Sequence, residues 1–212
     1  MSLREKFSVP KPIDFFARDF LAFLIEKYNA PQCASVKVKV LFVPTYHKWL
    51  KLWKLSESTT DKKRSLLEYG EQRSNRSNWM NCYGYLHQIA IGATDTGQFE
   101  SSAPEQLKKD MLAMFLREEL ADAYSQFDAV IFLNLPNIQK ALDKGVPFPK
   151  LGTVAHECTH IIERYTGKRI IDANQWELGY WDTPSFKAFT EFVDRIGGKD
   201  ELVKRYGGGE MT

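Results

Sequence analysis

At 212 residues the chain is long enough for one hydrophobic core, or for two small lobes sharing a cleft. A content of 43% hydrophobic and 26% charged residues excludes a disordered chain, and a formal net charge of +2 gives no global attraction to nucleic acid or an acidic membrane. The three cysteines, Cys33, Cys82 and Cys158, are widely separated and form no CxxC pair, which argues against a disulfide framework or a cysteine-held metal and for reduced thiols in a cytoplasmic protein.

The N-terminal stretch MSLREKFSVPKPIDFF has no apolar run followed by a small-residue cleavage site, so no secretory signal is expected. Residues 12–29 place Phe16, Phe20, Phe23 and Leu24 at helical spacing, predicting an amphipathic helix closed by Pro31. Its most apolar run, Phe20 to Ile25, is too short to cross a bilayer. In VKVKVLFV, Val36, Val38 and Val40 alternate with Lys37 and Lys39, the period of a strand with one dry and one wet face.

The polar stretch from about Ser56 to Asn78 reads as a solvated helix or loop. Residues 85–93 read as a second strand, and a turn-rich segment follows. Ser102 and Glu105 form a capping box for a helix reaching about Tyr124. The run AVIFLNLP (129–136) suits a buried strand, with a short helix at 137–144 stopped by Gly145. No repeat or linker divides the chain, so a single domain over 1–212 is expected. Within it, about 1–150 forms an α/β lobe, and about 151–212 carries the active-site helix and a mostly helical C-terminal lobe.

Residues 151–167, LGTVAHECTHIIERYTG, carry the chemistry. His156 and His160 lie four apart, so a helix puts both imidazoles on one face, roughly 6 Å apart along the axis, where they can share one zinc ion. Glu157 projects beside them and can take a proton from an activated water. Val154, Cys158, Ile161, Ile162 and Tyr165 fill the other faces, which makes Cys158 a buried structural thiol, and Thr166-Gly167 is the stop.

A catalytic zinc has three protein ligands. His47 and His87 have no metal-like partner nearby in sequence, and Thr166 stands where a long metzincin motif has its third histidine, so a carboxylate must complete the set. Glu163 lies roughly 10 Å along the helix from His156, too far to share its ion. Glu191 falls opposite the stripe of Phe186, Phe189, Val193 and Ile196, on a solvated face, and is kept as the alternative. Glu177 is favoured: Asp172 and Gln175 suggest a capping box opening a short helix, ANQWELGYW, in which this carboxylate sits among aromatic groups and needs a partner.

With HECTHIIERYTG and QWELGYWD in view, the segment resembles the gluzincin group of zincin metallopeptidases, the thermolysin and zinc-aminopeptidase type. The resemblance covers roughly residues 150–206. It implies an α+β, zincin-like fold, with a small mixed sheet on an active-site helix and a helical C-terminal lobe. It further implies Zn²⁺ as cofactor on His156, His160 and Glu177, Glu157 as general base, Asp182 as a carboxylate orienting a ligand histidine, and a peptide or protein substrate. Relative to that pattern the gap from His160 to Glu177 is short, and Gly179 falls inside the expected glutamate helix. Tyr165 and Tyr180 are the candidate oxyanion donors.

The function expected is therefore zinc-dependent peptide hydrolysis. The first rival is a zincin-fold binding protein without catalysis. The second is a nucleic-acid binder using Lys62, Lys63, Arg64, Arg73 and Arg76 with Trp79 and Tyr83, which the near-zero net charge disfavours; neither nucleic acid nor membrane is an expected partner.

Overall fold

The structure, a computed structural model, describes residues 11–50, 83–88, 127–171, 176–177 and 181–207, with 85–88, 176–177 and 181–182 described as backbone only. The basic stretch at 62–76 and the capping-box helix expected at 102–124 lie outside the described residues. The architecture is α+β: helices built around a small mixed sheet.

Helix α1 (Pro12–Tyr28) follows from its aromatic period and from Pro12 in its first turn, where a missing N–H costs nothing. Asn29 ends it in the left-handed region, φ 50°. The side chain of Asp14 accepts from the N–H of Lys11.

Strand β1 (Val38–Val43) runs parallel to β3 (Ala129–Asn134), and β2 (Gly84–Gln88) runs antiparallel to β3 on its other side, giving the order β1-β3-β2. Every residue of β3 is buried, as its continuous apolar run demands of a central strand.

The alternation expected of β1 fails at one position. Lys39 is only 4% exposed instead of wet. Its ammonium sits 2.7 Å from Asp14, whose other oxygen accepts from the N–H of Val40 at 3.0 Å. A buried ammonium needs such a partner, and the same carboxylate joins α1 to the sheet.

Helix α2 (Leu135–Asp143) starts two residues earlier than expected because Pro136 is tolerated in a first turn, and Gly145 follows with φ 77°. Helix α3 (Pro149–Thr166) carries the histidine motif and stops at Gly167, φ 67°. Helices α4 (Thr183–Ile196) and α5 (Lys199–Tyr206) close the chain.

Between α3 and α4 the described residues form strands where a glutamate helix is expected. Trp176–Glu177 (β4) pairs antiparallel with Trp181–Asp182 (β5), in the register Trp176 to Asp182 and Glu177 to Trp181. Two aromatic-rich pairs separated by three residues that include Gly179 favour a chain reversal over a helix, in which glycine is costly. The capping box proposed at Asp172 and Gln175 lies outside the described residues.

One core joins α1, the sheet, α3, α4 and α5. At its centre Phe16 and Phe20 stack at 5.5 Å, and Phe192 meets them edge-on at 5.9 and 5.3 Å. Tyr206 of α5 closes on Phe16 at 5.4 Å. The core holds α1 across the back of α3, where the Cys158 thiol lies 3.8 Å from the Ala17 carbonyl. Among the described residues, no helix is long and apolar enough to cross a membrane.

Candidate metal centre

Helix α3 has an apolar back and a chemical front. Leu151, Val154, Ala155, Cys158, Ile161 and Ile162 are essentially without exposure and face the core. Burial, reinforced by the negative charge of Glu157, pushes the Cys158 thiol far above its ordinary range, which makes it inert packing.

Opposite this wall, the His156 and His160 rings meet at right angles with their centroids 4.6 Å apart. Their Nε2 atoms are 3.1 Å apart. Two nitrogens on one tetrahedral zinc, each about 2.0–2.1 Å from the ion, stand about 3.3 Å from each other, so the spacing of this pair matches that donor set.

The other side of the His160 ring is anchored. Its Nδ1 lies 2.6 Å from Glu163 Oε2, while Glu163 Oε1 accepts from the N–H groups of Ile170 at 2.6 Å and Ile171 at 2.7 Å. Burial alone would push the Glu163 carboxyl up, but the hydrogen bond and charge of His160 and the two backbone N–H groups outweigh it and hold the group below its ordinary value. An ionised carboxylate only accepts, so the hydrogen at this contact sits on His160 Nδ1, which leaves Nε2 as the ring nitrogen that faces His156. A zinc ligand that binds through Nε2 carries its hydrogen on Nδ1, so the Glu163 contact suits His160 to that role, and the Nε2 spacing suits the pair.

Glu157, 6% exposed, points toward β2. A Cβ added at Gly84 would lie 3.1 Å from Glu157 Oε1 and 2.4 Å from the Thr153 methyl, so only glycine lets β2 come this close to α3. The base candidate therefore lies between the helix and the outer strand of the described sheet.

The remaining candidates divide clearly. Glu191 is exposed on α4 and ion-paired with Lys27 of α1, so its carboxylate is engaged on the protein surface. His47 is exposed within the helical residues 46–50. The backbone of β2 carries His87 opposite Val130. Tyr165 packs against the core at the end of α3, and Tyr83, offered as a stacking residue for nucleic acid, packs against it too.

Glu177 is placed by backbone alone. Its strand β4 contacts α4, and the paired strand β5 contacts both α3 and α4. The side chains of Glu177 and Asp182, and all of Tyr180, lie outside the described residues. Among the described residues no group of three His, Cys, Asp or Glu side chains gathers around one point.

Glu163 is the residue that sequence reasoning missed. It was weighed only as a direct ligand of the ion, whereas its separation of three from His160 is contact spacing on a helix and was the available signal. Comparisons with protein-family models, with curated proteins and with solved structures return no match.

Proposed function

We propose that this protein is a zincin-like, zinc-dependent peptidase, with His156 and His160 as two zinc ligands, Glu177 as the third and Glu157 as general base. The observation that carries the reading is the 3.1 Å approach of the two Nε2 atoms, with His160 Nδ1 held from behind at 2.6 Å by Glu163. A helix bearing such a pair beneath an antiparallel strand of a mixed sheet supports the zincin comparison. The buried free thiols of Cys33 and Cys158 suit a reducing, cytoplasmic setting.

When bound, zinc supplies Lewis acidity, polarising a carbonyl and acidifying water to a pKa of about 7. The chain's own groups do the rest. Glu157, at the α3–β2 boundary, takes a proton from the attacking water and returns it to the leaving amine. Strand β2, on a margin of the described sheet, is the strand that would pair with an extended peptide substrate. Glu163 keeps His160 aimed throughout.

The test is metal stoichiometry of purified protein. One zinc per chain is expected, removable by a chelator and lost in His160→Ala. Glu177→Ala should weaken zinc retention about 100-fold or more, because a three-ligand site loses one ligand. Wild-type protein that takes up no zinc sinks the reading. Zinc uptake without cleavage of any member of a broad peptide library would leave a metal-holding protein that does not hydrolyse.

A further inference from the structure

Three N–H donors converge on Glu163 from two places in the chain. His160 Nδ1 comes from α3 itself, at 2.6 Å, and Ile170 N and Ile171 N come from the segment beyond the helix, at 2.6 and 2.7 Å. The left-handed turn at Gly167, φ 67°, folds that segment back beside the last turns of α3. Five residues beyond Ile171 the chain enters β4. Two oxygens that accept and never donate are needed to satisfy three donors from two directions, and among side chains only an ionised carboxylate supplies them.

We infer that Glu163 is a positioning residue that sets, through one carboxylate, both the tautomer of His160 and the path of residues 167–171 toward β4. The inference rests on the metal reading for its consequence. An ion on the imidazole pair favours the Nδ1–H form of His160, and that form bonds Glu163. Glu163 in turn fixes the amides of Ile170 and Ile171. Linkage is reciprocal, so order in this segment must strengthen ion binding as much as the ion orders the segment.

Glutamine cannot replace this carboxylate. With its oxygen toward the backbone, its NH₂ meets His160 Nδ1 and drives the hydrogen onto Nε2, removing the lone pair. Turned over, its NH₂ faces the two backbone N–H groups. Either the ligand tautomer or the backbone bonds are lost.

The test uses full-length protein labelled with ¹⁵N at histidine and at the backbone, at pH 8, with zinc as the probe. In metal-free wild type the His160 ¹⁵N shifts should report the Nδ1–H tautomer. Zinc should slow hydrogen exchange at Ile170 and Ile171 by tenfold or more. In Glu163→Gln either the tautomer signature switches or both amides exchange at least tenfold faster, and zinc affinity falls 10- to 100-fold. The wild-type measurements decide even where the variant folds poorly. Zinc binding that leaves the Ile170 and Ile171 amides unchanged overturns the coupling and spares the metal reading. Absence of zinc binding, with the tautomer switch still produced by Glu163→Gln, sinks the metal reading and leaves Glu163 in its positioning role.

Discussion

On the back of α3, Val154, Cys158, Ile161 and Ile162 meet the core that α1 covers and expose nothing, while on the front His156 and His160 stay partly open and Glu157 is pressed against β2. The back needs volume and an absence of charge, which several apolar residues supply. The front needs particular atoms at particular separations, such as the two Nε2 atoms at 3.1 Å and the Nδ1 on Glu163 at 2.6 Å. A rigid, dry back is what lets the front hold its atoms still, so a defect on either side should show in a different measurement.

The largest effect expected is on the front. Glu157→Gln should lower peptide hydrolysis by about 10²–10⁴-fold, the usual weight of a general base, while zinc content and thermal midpoint stay at the wild-type level. Retained turnover in a library digest would remove Glu157 from the chemistry.

Phe16→Ala tests the back. Phe16 is fully buried and packs against Phe20, Phe189, Phe192 and Tyr206, so truncation should cost about 3–5 kcal/mol in denaturant unfolding. The molecules that remain folded should still bind zinc with unchanged affinity. Weaker binding in the folded fraction would mean that the two faces are not separable.

Gly84→Ala probes their meeting with the sheet. The added methyl meets the Thr153 methyl at 2.4 Å, a crowding worth about 1–3 kcal/mol. Pairing it with Thr153→Ser removes that contact and leaves the approach to Glu157 Oε1 at 3.1 Å. The double variant should regain stability but remain impaired in turnover. Recovery of both would make Gly84 a packing residue alone.

The smallest effect is expected at Glu191→Ala. Its ion pair with Lys27 is exposed, so stability should change by about 0.2–1 kcal/mol and zinc content not at all. Loss of zinc there would transfer the third-ligand role from Glu177.

Local period made much of this fold legible. The aromatic spacing of α1, the continuous apolar run of β3 and the histidine spacing of α3 each report a structure that the segment dictates by itself. Partners brought from elsewhere were not legible. Lys39 reads as a wet strand position until Asp14, on a helix 25 residues away, is placed against it. Glu163 fails as a direct ligand by helical rise, and its true partners include amides seven and eight residues on that reach it only after the turn at Gly167. The stretch around Glu177 misled because a carboxylate among aromatics suits a strand pair as well as an amphipathic helix, and Gly179 tips the balance to the former.

Asp14 and the aromatic face of α1 have a consequence for anyone dissecting the chain. The helix that begins at Pro12 is riveted to β1 through Lys39 and Val40, and it also shields the reverse of the histidine helix more than a hundred positions later. Excising the stretch from Pro149 onward, or grafting it onto another scaffold, would therefore strip away its insulation and leave a greasy helix in water instead of a portable module.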